Sequence, residues 1–161
     1  MIVDILQSTL NYLETVTQIN LIKMSSITYS QLFILKLDCR IVDCNYTSNK
    51  NKIKKVLGQI NQNILEQKKF SKLKILYCRN MNINSVNHLA NYLEELGCDY
   101  DSHIDQAGIL KLRKLRELDC GNNPKIYDVN HLSETLENLD CSWNSGIDEK
   151  GLANLKKLKC L

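Results

Sequence analysis

The sequence has 161 residues, of which 43% are hydrophobic, and a net charge of +3 at pH 7. This length accommodates one folded unit with at most a small helical cap. So small a charge excludes the electrostatic signature of a nucleic-acid-binding protein.

The N-terminus has no recognisable targeting segment. Met1–Asp4 lacks the positive start of a signal peptide, and the first basic residue is Lys23. Polar residues such as Gln7 and Asn11 interrupt the apolar stretch, and no run of 18 apolar residues that could span a membrane occurs. The sequence therefore predicts an intracellular, cytoplasmic protein without a membrane partner.

Residues 1–35 are rich in isoleucine, leucine, valine and tyrosine and contain few charges. The apolar side chains of residues 3–14 fill about half of a helical wheel, which is wider than the roughly 100° stripe of an ordinary surface helix. Two further helices are predicted at 17–24 and 28–35. This segment should therefore consist of three helices joined by short links.

Three stretches of this segment resemble an F-box: Asp4-Ile-Leu-Gln-Ser-Thr-Leu-Asn-Tyr-Leu13, Ile19-Asn-Leu-Ile-Lys-Met-Ser-Ser26 and Gln31-Leu32. An F-box is a compact three-helix module that docks onto the adaptor of a cullin–RING ubiquitin ligase. The resemblance implies that this adaptor is a partner, bound by an exposed apolar patch that includes Leu6, Leu10, Ile19, Leu21 and Ile22. The alternative is a helical N-terminal cap that buries these side chains against the rest of the fold.

Residues 36–72 form a transition to the C-terminal part. Leu35-Lys-Leu-Asp-Cys39 has the alternation of a strand, with Leu37 facing inward. Apolar residues at helical spacing then predict one amphipathic helix over about 51–68. The alternative is a poorly matching repeat, because 41 residues separate Leu37 from Cys78.

Residues 73–161 repeat one short pattern. The pattern L-x-x-L-x-C-x-x-N occurs in full twice, in Leu115-Arg-Glu-Leu-Asp-Cys-Gly-Asn-Asn123 and in Leu136-Glu-Asn-Leu-Asp-Cys-Ser-Trp-Asn144. Two earlier segments match it up to the cysteine, Leu73–Cys78 and Leu93–Cys98, and a fifth copy starts at Leu155–Cys160. In each copy the second leucine and the cysteine lie on one face of a strand and point into a shared core. Segments 86–96 and 129–139 also share seven of eleven residues.

This pattern resembles the leucine-rich repeat, with steps of 20, 22, 21 and 19 residues between successive cysteines. The resemblance implies an α/β fold, a short leucine-rich-repeat solenoid with parallel strands on one face, preceded by a helical N-terminal region. It also implies that the Asn123 and Asn144 amides bond the backbone where each strand turns into a loop.

Five of the seven cysteines occupy the inward repeat position: Cys78, Cys98, Cys120, Cys141 and Cys160. Zinc sites commonly use pairs such as C-x2-C, and the sequence contains no C-x2-C pair. A buried free cysteine behaves as a small hydrophobic residue. We therefore predict free core thiols and no metal, with partial oxidation between neighbouring thiols as the alternative.

The outward side chains of the predicted strands form an acidic stripe between basic ends. The candidate protein-binding residues on this face are Tyr77, Arg79, Glu95, Asp99, Glu117, Asp119, Asp140 and Trp143. Neighbouring carboxylates repel one another unless they are solvated or bound by a cation. The stripe is therefore either a solvated surface or a binding face for a protein with a basic surface. Trp143 is either a partner anchor or a cover for the edge of the last repeat.

The sequence contains no motif for catalysis or for a cofactor. His88 and His131 recur because the repeat recurs, and neither a cysteine–histidine pair nor a phosphate-binding glycine loop accompanies them. We therefore predict a non-catalytic protein-recognition protein without a cofactor. Under the F-box interpretation it is a substrate receptor of a ubiquitin ligase, whose helices bind the adaptor and whose repeats bind the substrate. The alternative is a stand-alone leucine-rich-repeat module without a ligase connection.

Overall fold

The computed structural model describes residues 36–38, 60–79, 81–100 and 102–161. Within these ranges the fold combines short helices with a five-stranded parallel sheet whose strands lie in chain order. The strands are β1 (Lys36–Asp38), β2 (Ile75–Tyr77), β3 (Glu95–Gly97), β4 (Glu117–Asp119) and β5 (Asn138–Asp140). Each strand, together with the segment that leads to the next strand, forms one unit.

The middle residue of every strand is a leucine, and the register places these leucines side by side. Leu76 pairs with Leu96, Leu96 with Leu118, and Leu118 with Leu139. All four side chains are buried, which confirms their predicted core positions. Because side chains alternate across a strand, the residues on either side of each leucine point the other way. The sheet therefore has one face toward the core and one toward solvent.

The segments between the strands bury a second set of apolar side chains. The three segments between β2 and β5 each carry a buried isoleucine near the start and a buried leucine just before the next strand: Ile83 and Leu93, Ile104 and Leu115, Ile126 and Leu136. Burying one such side chain completely stabilises the fold by about 1.5–3 kcal/mol. Together with the strand leucines they form one core that continues from unit to unit.

The turns in these segments alternate between two kinds. The short helices α1 (Gln62–Leu65), α2 (Gln106–Ile109) and α3 (Glu149–Leu152) occupy every other unit, and 3-10 turns at Asn87–Leu89 and Asn130–Leu132 occupy the units between. Each helix is capped by a side-chain oxygen that accepts a hydrogen bond from the backbone N–H three residues on. The capping residues are Asn61, Asp105 and Asp148, which are 44 and 43 residues apart. The structural period is therefore two units.

Polar side chains join each unit to the next. The Gln106 side-chain oxygen accepts hydrogen bonds from the N–H groups of Tyr127 and Asp128, both at 3.0 Å, and its nitrogen donates to the Asp128 carbonyl at 2.7 Å. Gln62 makes the same three kinds of bond to the unit that follows it. The asparagines that open the 3-10 turns, Asn87 and Asn130, each make two bonds to the next unit. The side-chain nitrogen donates to a backbone carbonyl and the side-chain oxygen accepts from a backbone N–H. Backbone groups outside the sheet are satisfied in this way.

The prediction of a single helix over about 51–68 is wrong in the part that the structure describes. Asn61 has an extended backbone, with φ −127° and ψ −179°, and a continuous helix cannot pass through it. Its side chain instead caps α1, which has only four residues. Ile60-Asn61-Gln62 occupies the same structural positions as Ile104-Asp105-Gln106 two units later, where Asp105 caps α2. This stretch is therefore part of the segment that leads from β1 to β2. Because β1 pairs directly with β2, the sheet has no strand of a further repeat between them, so the alternative interpretation is wrong as well. Residues 51–59 lie outside the described ranges.

The fifth copy of the pattern is displaced by three residues from its predicted frame. The motif Leu155–Cys160 predicts that Cys160 lies inward beside Cys141. Instead, Cys160 pairs with Asn138, and the N–H groups of Lys159 and Cys160 donate to the Glu137 carbonyl. Cys160 therefore takes an outward position. The sequence is ambiguous here because every third residue from 155 to 161 is a leucine, so two frames fit.

Cys78, Cys98 and Cys120, the core thiols, are buried and take part in no disulfide, as predicted. Burial raises the pKa of the Cys98 thiol well above its ordinary value and that of Cys120 to about 12, because a low-dielectric core disfavours the thiolate. Cys141 is only half-buried, so its predicted full burial is wrong. Cys160 is exposed, which contradicts its predicted place in the core.

The prediction of an F-box-like segment concerns residues that the structure leaves undescribed. The F-box-like segment 1–35, with the candidate adaptor-binding residues Leu6, Leu10, Ile19, Leu21 and Ile22, lies outside the described ranges. Among the helices of the described ranges, none is long and apolar enough to cross a bilayer.

Candidate functional site

The strand face is the outward side of β2–β5 together with the turn that follows each strand. The eight residues predicted to bind a partner all lie on it: Tyr77, Arg79, Glu95, Asp99, Glu117, Asp119, Asp140 and Trp143. Neighbouring strands are roughly 4.8 Å apart, so side chains on adjacent strands are within reach of one another. Glu95 is half-buried on this face. For the other residues, contacts within the face decide which groups remain available to a partner.

Tyr77 is withdrawn from the surface, with only 3% of its area exposed. Its ring lies over Gly97 so closely that a Cβ atom at that position would overlap the ring. The hydroxyl reaches across β3 and donates to Glu117 Oε1 at 3.0 Å. Only glycine at position 97 permits this arrangement. Tyr77 and the half-buried Glu117 are thus held by each other rather than left free for a partner.

Arg79 neutralises one end of the predicted acidic stripe. Its Nε donates to Asp99 Oδ2 at 3.1 Å, and its Nη2 makes a close ion pair with the same oxygen. The guanidinium carbon also lies 4.7 Å from the centroid of the Tyr100 ring. Asp99 is only 6% exposed. A charge-assisted pair and a cation–π contact therefore hold this guanidinium between a carboxylate and an aromatic ring.

Asp119 and Asp140 continue the stripe on the next two strands. In the described part of the chain, neither forms an ion pair with an arginine or lysine. Burial raises the pKa of Asp119 above its ordinary value, and the carboxylate of Asp99 raises it further. Hydrogen bonds from the Ser142 hydroxyl and N–H lower the pKa of Asp140. The charged form of the Asp119 carboxylate is therefore destabilised, and a nearby cation would stabilise it.

The turns after β3, β4 and β5 each place one residue in the left-handed region of φ. These residues are Tyr100 (φ 32°), Asn122 (φ 55°) and Trp143 (φ 64°). Asparagine adopts this conformation readily, whereas a bulky aromatic residue adopts it only with strain. The Trp143 side chain is 83% exposed, so it does not cover the edge of the last unit. The prediction that Trp143 covers the edge of the last repeat is therefore wrong, and its role as a partner anchor stays a prediction.

A groove of about 690 Å³ lies at the strand face beside β4 and β5. Three carboxylates line it, from Glu117, Asp119 and Asp140, together with the Ser142 hydroxyl. The apolar part of its lining comes from Tyr77, Leu118, Leu139, Cys141, Cys160 and Leu161. The groove thus combines acidic groups with apolar surface, a combination that suits the long apolar stem and charged end of a basic side chain.

The asparagine bonding implied by the leucine-rich-repeat resemblance is present at one of two positions. Asn123 is buried, and its amide nitrogen donates to the Cys98 carbonyl at 2.9 Å. Asn144 is exposed. In that unit the Ser145 hydroxyl accepts a hydrogen bond from the Ile147 N–H at 3.1 Å. The expected role is therefore confirmed for Asn123 and wrong for Asn144, where the next residue makes the backbone contact.

Three important residues of the strand face were not among the predicted binding residues: Gly97, Tyr100 and Gly121. Each matters through a side chain on another strand, which spacing within one repeat does not reveal. A comparison of units two apart would have helped, because Tyr100 and Trp143 are 43 residues apart and so are Val86 and Val129.

In the described ranges no group of three or more histidine, cysteine, aspartate or glutamate side chains is arranged to hold a metal ion. Comparisons with protein-family models, with curated proteins and with solved structures found no match to this chain.

Proposed function

We propose that this chain is a short leucine-rich-repeat solenoid that recognises another protein and has no catalytic activity. Strands in chain order, leucines in register and a core continuous between units support the solenoid. The partner would bind the strand face, which is broad and open and is built on regular strands. The groove on this face is open to solvent rather than enclosed, which suits the side chain of a protein better than a small molecule that must be buried for chemistry.

The observation that carries this proposal is the charge left on the strand face. Arg79 neutralises Asp99, but Asp119 and Asp140 lie on the following strands without an ion pair in the described part of the chain. An exposed tryptophan, Trp143, lies in the turn after the second of them. Carboxylates beside an exposed aromatic side chain favour a partner with a basic surface.

The experiment is affinity capture of partners with two matched variants. Asp140→Arg reverses a charge on the strand face, and Glu149→Arg makes the same kind of change at an exposed position in α3, away from that face. We expect Asp140→Arg to lose the captured protein, Glu149→Arg to retain it, and added salt to weaken the wild-type complex. Equal capture by both variants would show that the partner does not bind the strand face.

The ligase connection rests on the sequence of residues 4–32. In this second part of the proposal Leu6, Leu10, Ile19, Leu21 and Ile22 bind the adaptor of a cullin–RING ligase, while the strand face binds the substrate. Leu10→Asp should then abolish co-purification of the adaptor without affecting capture through the strand face. If the wild-type chain retains no adaptor, the stand-alone module is the correct account.

A further inference from the structure

Two places on the strand face are related by the two-unit period. Tyr100 and Trp143 are 43 residues apart, and each adopts a left-handed φ in the turn after its strand. Arg79 and Gly121 are 42 residues apart, and each directly follows the inward cysteine of its own unit. The pair Arg79 and Tyr100 therefore corresponds to the pair Gly121 and Trp143.

The first of these places already contains a guanidinium. Arg79 extends from its own unit to Asp99 of the next, and its guanidinium carbon lies 4.7 Å from the centre of the Tyr100 ring. The chain thus shows, in its own structure, how this turn accommodates an arginine side chain. The aromatic ring contacts the cation, and a carboxylate neutralises it.

At the second place, the position equivalent to Tyr100 holds another aromatic residue, Trp143, in the turn that follows the groove residue Ser142, and Gly121 stands where the arginine would be. A Cβ atom on Gly121 would lie 3.2 Å from Ser142 Oγ, 3.5 Å from Asp140 Oδ1 and 3.6 Å from Asp119 Oδ1. All three of these residues line the groove beside β4 and β5. One difference from the first place is that Ser142 stands where Asp99 stands two units earlier, and the carboxylates come from the adjacent outward positions instead.

We propose that the groove binds an arginine side chain supplied by a partner protein. Its guanidinium would lie against Trp143, Asp119 and Asp140, as that of Arg79 lies against Tyr100 and Asp99. The half-buried Cys141 and the exposed Cys160 and Leu161 of the groove would contact apolar residues that flank the arginine. This inference rests on the proposed function and names the feature that the strand face recognises.

Arginine fits this arrangement better than lysine. A guanidinium is planar, stacks on an aromatic ring and can bond two carboxylates in different directions, whereas an ammonium is compact and more strongly hydrated. The cation of Arg79 meets an aromatic ring and a carboxylate together, which is the combination that Trp143 and the two aspartates offer.

The first test is an NMR titration of the full chain with three capped pentapeptides. These carry arginine, lysine or citrulline between two leucines, and citrulline keeps the shape of arginine without its charge. Trp143 is the only tryptophan in the chain, so its indole N–H gives a single assigned signal. We expect saturable shifts with arginine and about tenfold weaker binding with citrulline, with lysine between them. No shift, or equal binding of arginine and citrulline, would refute the proposal.

The second test places an arginine inside the site. Gly121 has no positive φ, and Ser142 Oγ, the atom nearest to its missing Cβ, ends a rotatable side chain, so a larger residue is tolerated. Gly121→Arg should reproduce the Arg79 arrangement, keep the melting temperature and abolish peptide binding, while Gly121→Ala should retain it. A folded Gly121→Arg variant that binds the arginine peptide with wild-type affinity would contradict the assignment.

A third variant distinguishes a binding role of Trp143 from a structural one. Trp143→Asn introduces the residue that occupies the equivalent turn at Asn122, where φ is 55°. Relief of strain should leave stability unchanged or higher, while the affinity for the arginine peptide, followed at the Gly121 amide, should fall about tenfold. Lower stability with unchanged affinity would show that Trp143 has a structural role only.

The two proposals fail in different ways. If Asp140→Arg abolishes capture of the partner but the arginine peptide does not bind, the strand face recognises a protein by another feature and only the present inference is wrong. If neither the partner nor the peptide is affected by Asp140→Arg, the proposed function is wrong as well.

Discussion

Gln106→Met tests whether side chains that cross between units hold the fold together. The substitution keeps an unbranched side chain of similar length and removes every hydrogen-bonding atom. In the wild-type protein, Gln106 is largely buried and bonds the backbone of the next unit three times, at Tyr127 N–H, Asp128 N–H and Asp128 C=O. Methionine leaves all three backbone groups without their partner.

The magnitude follows from the number of bonds lost. Each intramolecular hydrogen bond contributes about 0.5–1.5 kcal/mol net, and a donor left unsatisfied in the interior costs about 1–3 kcal/mol. Water can reach part of this site, because Gln106 lies at the boundary between buried and half-buried residues, with 9% of its area exposed. We therefore expect Gln106→Met to lower the free energy of unfolding by about 2–4 kcal/mol.

The assay combines urea denaturation followed by circular dichroism with amide hydrogen exchange. Glu149→Met is the matched control, because Glu149 begins α3 as Gln106 begins α2 but its side chain is exposed. The control should change stability by less than about 0.5 kcal/mol. In Gln106→Met the amide protons of Tyr127 and Asp128 should exchange faster, even at low urea concentration.

Gln106→Glu separates the two roles of the side chain. A carboxylate still accepts from the two N–H groups but cannot donate to the Asp128 carbonyl, which lies 2.7 Å from the nitrogen it would replace. The protonated acid can donate, so folding should raise the pKa of this glutamate. Its stabilising effect is then present at low pH and lost as pH rises through the raised value. Unchanged urea midpoints and unchanged exchange in both variants would refute the reasoning.

Three further predictions follow from burial and charge. Leu118→Ala should cost about 2–5 kcal/mol in urea denaturation, whereas Asn138→Ala should cost less than about 0.5 kcal/mol, and equal losses would contradict the assignment of the two faces. Alkylation of the native protein followed by mass spectrometry should label Cys160 rapidly and the core thiols slowly, while rapid labelling of all four would show that the core is open. Burial lowers the pKa of His88 and His131 below 6.5. The contribution of the two neutral imidazoles to folding stability should therefore be fully present above about pH 6.5 and be lost as pH decreases through the lowered pKa values. The double variant His88→Gln/His131→Gln should abolish this part of the pH dependence, measured by urea denaturation.

The positions of the strands and of the inward leucines are determined by the sequence alone. Alternation along a strand is local, so the motif around Leu118 and Leu139 is enough to predict that both side chains are buried. The core thiols follow from the same rule. Where local spacing fits two frames, the prediction fails. Residues 60–68 keep apolar residues at helical spacing although Asn61 is extended, and the leucines between 155 and 161 fit a second frame.

Only the tertiary structure decides which strand-face groups remain available. Tyr77 is buried because the neighbouring strand has glycine at position 97, and its hydroxyl is held by Glu117 on the strand beyond. Arg79 cancels the charge of Asp99, whereas Asp119 has no such counter-ion within the described residues. These outcomes depend on strand register and on the size of side chains about 20 or 40 residues away. A pattern within one repeat carries no information about them, which is why the sequence predicts the acidic stripe but not its neutralised and open parts.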